Sequence, residues 1–155
     1  MNTTELAEVV SAVLLPAGFR KRKDTWYKAN EDTITLLNLQ KSQYGGQYFV
    51  NLAVYLRDLG AATSPSEHQS HIRVRLTAIA GGEASAIDEA LDLEQPNMST
   101  DKRRTTLTRA LTTMALPFLN ERSVLARVRE LHAQGSLGPV LITRATVALL
   151  ERTPA

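Results

Sequence analysis

Residues 33–56 read TITLLNLQKSQYGGQYFVNLAVYL, and this stretch decides the fold. Two segments rich in apolar and β-branched residues flank Gly45-Gly46, which is the pattern of an antiparallel hairpin. A two-residue Gly-Gly turn predicts that Gln40 pairs with Asn51 and that Asn38 pairs with Ala53, since glycine readily adopts the positive φ of such turns. The two faces of the hairpin then separate by chemistry: one collects Leu37, Leu39, Val50, Leu52, Val54 and Leu56, and the other collects Asn38, Gln40, Ser42, Asn51 and Tyr55.

Helical patterns lie on both sides of the predicted strands. An apolar stripe at helical spacing follows the capping residue Asn2 and ends at Pro16. A strand pair broken near Asp24 comes next, and residues 71–79 alternate as a further strand. The remainder is helical, with Pro117 expected to end or kink one helix. This order predicts an α+β fold with an N-terminal helix, an antiparallel sheet of about four to five strands, and C-terminal helices packed on the leucine-rich sheet face.

Length and composition are those of one globular domain. The chain has 155 residues, of which 43% are hydrophobic and 22% are charged, and this predicts a single domain over residues 1–155. The absence of cysteine excludes disulfides and thiolate nucleophiles. A net charge of +2 is too small to favour a nucleic-acid partner. Because the N-terminus MNTTELAEVV does not have the pattern of a signal peptide and no apolar run is long enough to span a bilayer, we expect a cytoplasmic protein without membrane contact.

Short motifs follow one another through the first half of the chain: Leu15-Pro16-Ala17-Gly18-Phe19, Thr25-Trp26-Tyr27, Leu37-Asn38-Leu39-Gln40-Lys41-Ser42, Phe49-Val50-Asn51-Leu52 and Arg73-Val74-Arg75. In order and spacing they resemble the bacterial domain-of-unknown-function family 4304. The resemblance implies a small bacterial α+β domain. It implies no reaction, because the function of that family is not established.

The polar residues of the hairpin form the candidate binding surface. Amides are poor strand formers and costly to bury without partners, so a cluster of them faces water or a ligand, or forms an internal hydrogen-bonded network. Ile34, Leu36 and Phe49 share this face and make it amphipathic, which is typical of recognition surfaces. An internal network, a partner surface and a small-ligand site all stay open for this face, and we hypothesise that it binds a partner. The predicted partner-binding residues are Asn38, Gln40, Ser42, Asn51, Tyr55, Trp26, Arg73 and Arg75.

The densest basic run of the chain is Arg20-Lys21-Arg22-Lys23. Strand alternation places Arg20 and Arg22 on one side, where we predict a charged rim of the binding surface. Like charges on an edge strand also oppose edge-to-edge aggregation. Contact with an acidic partner and contact with nucleic acid stay open as further roles.

The sequence lacks the short motifs of the common enzyme classes, among them GxSxG, the P-loop, GxGxxG and HExxH. His68 and His71 lie in a loop without a third ligand at metal-site spacing. We therefore predict no catalytic residue, no metal and no cofactor. The sequence favours a non-enzymatic binding module, an accessory or immunity-type partner of another bacterial protein. A small-molecule or nucleic-acid binding domain, an enzyme of unrecognised type and a homodimer closed through the hairpin face are the alternatives.

Overall fold

The strands form one antiparallel sheet whose spatial order follows the order of the chain. The computed structural model describes residues 1–152. Its strands are β1 (Arg20–Arg22), β2 (Thr25–Ala29), β3 (Thr33–Lys41), β4 (Tyr48–Leu56), β5 (Ile72–Arg75) and β6 (Leu141–Ile142). Its helices are α1 (Thr3–Leu14), α2 (Ala84–Leu91), α3 (Thr100–Ala110), α4 (Leu116–Glu121), α5 (Leu125–Ala133) and α6 (Arg144–Glu151).

This architecture confirms the predicted α+β fold. Within the described residues the sheet has six strands rather than four to five. The additional strand within residues 1–152 is β6, whose two residues are too few to show an alternating pattern.

The helices bury the leucine-rich face of the sheet, as predicted. Helices α1 to α4 share one hydrophobic cluster with strand residues that include Leu37 and Leu52. Helices α5 and α6 share a second cluster with Val54 and Ile72. Burial of these apolar side chains supplies the main driving force for folding. The α-helices of these two clusters all pack on this one face of the sheet. Within residues 1–152, no helix combines the length and the apolar character needed to cross a membrane.

The turn between β3 and β4 is longer than predicted. The loop comprises residues 43–46, closed by a hydrogen bond of 2.8 Å from Ser42 N to Gln47 O. Asn38 therefore pairs with Asn51, and Gln40 pairs with Phe49. The predicted register was wrong by two residues, and since side chains alternate with a period of two, every one of them keeps its predicted face.

A contact distant in sequence explains the longer loop. Leu93 N donates a hydrogen bond of 3.0 Å to Gly46 O, which draws the hairpin tip onto the segment after α2. A Cβ at position 46 would lie 2.7 Å from Glu94 Cγ, so this approach requires glycine. Gly46 thus serves a close backbone contact and not the two-residue turn.

Two predicted elements end differently. The strand predicted to continue through Ile79 ends at Arg75, and Leu76–Ile79 forms a 3-10 helix. Pro117 was expected to end or kink its helix, and it does not end it, because α3 continues into α4 through a π-helical segment at Leu111–Ala115. Proline has no N–H, and its ring crowds the carbonyl group four residues earlier. A locally wider helix accommodates both effects.

A buried arginine fixes the segment that follows α2. The Arg103 side chain is 3% exposed. Its guanidinium donates hydrogen bonds of 2.8 Å to Ala90 O, 2.7 Å to Asp92 O and 3.2 Å to Gln95 O. A cation at the C-terminus of a helix also interacts favourably with the helix dipole. Arg103 therefore holds the loop on which the hairpin tip rests.

Candidate functional site

A row of polar side chains crosses five strands on the sheet face opposite the layer of α-helices. Arg22 pairs with Thr25, Thr25 with Asn38, Asn38 with Asn51, and Asn51 with Arg75. Directly paired residues of antiparallel strands project to the same side. These five residues, here called the amide row, place a guanidinium at each end and uncharged polar groups between them.

The centre of the amide row is a hydrogen-bonded network. Asn51 Nδ2 donates to Asn38 Oδ1 at 3.2 Å and to Gln40 Oε1 at 2.9 Å. Asn38 Nδ2 donates to Thr25 Oγ1 at 3.1 Å. Asn51 is 6% exposed, whereas Gln40 lies at the surface. The network fixes the orientation of each amide, and across residues 1–152 it leaves Asn51 Oδ1 and Gln40 Nε2 without a hydrogen-bond partner.

The two arginines of β5 have different surroundings. Arg73 Nε and Nη2 donate to the two carboxylate oxygens of Glu67, at 2.8 and 3.2 Å. Arg75 is exposed, and its guanidinium carbon lies 3.9 Å from the centre of the Phe49 ring. Stacking on an aromatic face leaves the N–H groups at the edge of a guanidinium available to an anion.

The segment between β4 and β5, residues 57–71, covers part of the same sheet face and is here called the covering segment. Ala62 N donates a hydrogen bond of 3.1 Å to Tyr55 Oη, which ties this segment to the end of β4. Ile34 and Leu36 also belong to this face, and they are 1% and 0% exposed. Only the half of the face that carries the amide row remains accessible.

A cleft of about 930 Å³ lies between the amide row and this covering segment. Its basic lining residues are Arg22, Lys23, Arg73 and Arg75, and its acidic ones are Asp24 and Glu67. Because Glu67 is paired with Arg73, the remaining charge is mainly positive. The volume lies in the range of small-ligand pockets.

The structure brings most of the predicted residues together. Asn38, Gln40, Asn51, Arg73, Arg75 and the predicted rim residue Arg22 all line the cleft. Arg20 lies on the same side of β1, paired with Tyr27, and is exposed outside the cleft.

Three predicted residues lie elsewhere, and the Trp26 prediction was wrong. Trp26 is 0% exposed on the helix-covered face, where its Nε1 donates to Ser11 Oγ at 3.0 Å. Tyr55 is on the correct face but lies beneath the covering segment. Ser42 lies at the hairpin loop, where its Oγ accepts a hydrogen bond of 3.1 Å from Tyr44 N.

Part of the cleft wall was not predicted from the sequence, and it includes Lys23, Asp24, Ser66, Glu67 and His68. Lys23 has a φ of 56°, which is uncommon for a residue other than glycine. The two residues between Arg22 and Thr25 could have been recognised as a tight turn from their polarity. The covering segment has no periodic pattern that would place it over the sheet.

The two neighbouring histidines have separate local roles. His71 Nδ1 accepts a hydrogen bond of 2.8 Å from Leu56 N, and burial lowers the pKa of His71. His68 Nε2 lies 3.3 Å from Ser66 Oγ, two residues earlier in the same segment. Over residues 1–152, no group of three or more histidine, aspartate or glutamate side chains converges in a way that could hold a metal ion.

These features define a small α+β domain with a polar, partly covered sheet face. The model of a domain-of-unknown-function family, DUF4304, matches residues 10–121, which is more than half of the chain and includes the whole amide row. The chain belongs to this family, as its sequence motifs predicted. No curated protein and no solved structure matches the chain.

Proposed function

We propose that the chain is a non-enzymatic binding module and that another protein contacts it through the cleft over the amide row. The observation that carries this proposal is the uncovered half of one sheet face. Helices cover the opposite face and the segment after β4 covers the remainder, while the half beneath the cleft carries aligned hydrogen-bonding groups, among which Arg22, Gln40 and Arg75 are exposed. Such a mixture of oriented polar groups and apolar surface suits protein recognition.

The chemistry of the lining groups favours binding over catalysis. Amide and guanidinium groups dominate the floor of the cleft. These groups donate and accept hydrogen bonds, but they do not exchange protons near neutral pH. The floor of the cleft therefore orients a bound molecule and supplies neither a nucleophile nor a general base, and of the titratable residues in the wall Glu67 is paired with Arg73.

The partner that we propose is another bacterial protein, with this chain acting as its accessory or immunity-type partner in the cytoplasm. A chain without cysteine needs no oxidising compartment to fold. A small molecule bound in the same cleft is the second candidate function, favoured by the cleft volume of about 930 Å³.

Affinity purification with matched variants tests this proposal. The tagged chain is expressed in its source organism, and co-purifying proteins are quantified by mass spectrometry for the wild type, Gln40→Trp and Thr112→Trp. Both positions are exposed, and only Gln40 lines the cleft. The proposal expects a protein whose recovery falls at least tenfold with Gln40→Trp and stays unchanged with Thr112→Trp. Equal recovery with all three chains contradicts it.

A further inference from the structure

We infer that the cleft binds an acidic segment of the partner protein, laid across the strands, with one carboxylate at Arg75 and another at the Arg22–Lys23 end. This inference rests on the proposed function and specifies the chemistry of the partner. It follows from three features of the cleft: its charge, the stacked arginine and the length of the amide row.

The charges of the cleft select an acidic occupant. Of its basic lining residues, Arg73 is already neutralised by Glu67. Arg22, Lys23 and Arg75 form no ion pair with any residue of the described chain, 1–152. Asp24 is the remaining carboxylate in the lining. Complementary charge across an interface gives specificity and raises the association rate.

Arg75 has the geometry of a carboxylate receptor. Its guanidinium lies 3.9 Å from the centre of the Phe49 ring, so one face of its plane is occupied by an aromatic side chain. The N–H groups at the edge of that plane match the two oxygens of a carboxylate in a bidentate pair. Lysine at this position would keep the charge and lose the planar fork.

The length of the amide row sets the spacing of the two carboxylates. Arg22 lies on β1 and Arg75 on β5, so the row crosses four inter-strand gaps of about 4.8 Å, roughly 19 Å in all. An extended segment of about six residues covers this distance at roughly 3.3 Å per residue. Between its ends, Asn51 Oδ1 and Gln40 Nε2 are placed to bond the polar groups of such a segment.

The backbone at Lys23 is a further sign of a binding role. Its φ of 56° is one that glycine or asparagine adopts more readily than lysine. The two-residue turn between β1 and β2 requires this positive φ, and the turn holds the exposed Lys23 side chain at the lining of the cleft. A lysine here places a cation at the end of the cleft opposite Arg75.

Two isomeric peptides test the spacing. Acetyl-Glu-Ser-Ser-Ser-Ser-Glu-amide carries its carboxylates at the ends, and acetyl-Ser-Ser-Glu-Glu-Ser-Ser-amide carries them together, with the same composition and charge. Dissociation constants are measured by NMR titration at low salt. The spaced isomer should bind about fivefold more tightly, which corresponds to one additional exposed ion pair. Equal affinity of the two isomers overturns the inference.

Matched variants test the named residues. Arg75→Gln and Arg22→Gln should each lower the affinity for the spaced peptide about fivefold and abolish the preference between isomers. Arg75→Lys should give a smaller loss. Arg104→Gln is the control, because Arg104 is exposed on α3 and lies outside the cleft lining. An equal loss with Arg104→Gln would mean unspecific charge attraction and overturn the inference.

Two further probes separate other anion sources. A hexathymidylate that binds more tightly than the spaced peptide would indicate nucleic acid and overturn the inference, as would inorganic phosphate that binds as tightly as the peptide. If a protein co-purifies through the cleft and neither peptide binds, the inference fails and the proposed function stands. If the spaced peptide binds and the co-purification experiment fails, the anion chemistry stands and the proposed function falls.

Discussion

Replacing Asn51 with alanine removes the centre of the amide row. Asn51 is 6% exposed and gives its two amide protons to Asn38 and Gln40. Each neutral hydrogen bond contributes about 1 kcal/mol net to the free energy of unfolding. Because water can take the place of Asn51 beside the exposed Gln40, the expected loss of stability is roughly 1–2 kcal/mol. For a chain of this length, such a loss lowers Tm by about 2–8 °C.

Urea unfolding of a double-mutant cycle isolates the network. Gln40→Ala alone should cost about 0.5–1 kcal/mol, since it removes one of the hydrogen bonds of Asn51, and the coupling between the two substitutions should be about 0.5–1 kcal/mol. Asn97→Ala is the control, because Asn97 is an exposed asparagine. A loss for Asn51→Ala no larger than that control, or a coupling of zero, would refute the network.

Three further predictions concern stability. Lys23→Asn introduces a residue that adopts the φ of 56° more readily than lysine. In urea unfolding the free energy of unfolding should rise by up to about 1 kcal/mol, while the affinity for the spaced peptide falls. A loss of stability contradicts this. Burial lowers the pKa of His71, so folding favours its neutral form. The contribution of neutral His71 to the free energy of unfolding is therefore complete above about pH 6.5 and is lost as the pH falls through the lowered pKa. His71→Asn keeps an acceptor for Leu56 N and does not titrate. The free energy of unfolding of this variant, measured in urea, should therefore fall less between about pH 7 and 5 than that of the wild type. An equal dependence on pH in both chains would refute this. Arg103→Met should cost about 3 kcal/mol in thermal unfolding, because several carbonyl groups lose their donor, whereas the exposed Arg104→Met should cost less than about 0.5 kcal/mol.

The faces of the central hairpin were predictable from the sequence, and its turn was not. Side chains alternate along β3 and β4, so leucines and amides lie on opposite faces even when the pairing of the two strands shifts by two residues. The loop length depends on Gly46 contacting Leu93 and Glu94, which are more than forty residues away along the chain. No local pattern reports such a contact.

The composition of the cleft was predictable only for the residues that lie on strands. Asn38, Asn51 and Arg75 could be assigned to one face because they follow the alternation of their strands. Trp26 was assigned incorrectly, because its neighbour Tyr27 is also aromatic and a short strand gives too few positions to decide which face is buried. Glu67 lies on a segment without periodicity, so its pairing with Arg73 required the folded chain.

Site-specific photo-crosslinking tests the central claim most directly. Benzoylphenylalanine is introduced at Gln40, over the amide row, or at Thr112, which is exposed on the helix layer, and the chain is irradiated in its source organism. The account predicts that a crosslinked partner protein forms at position 40 and that none forms at position 112. Adducts at position 112 with none at position 40 would contradict it.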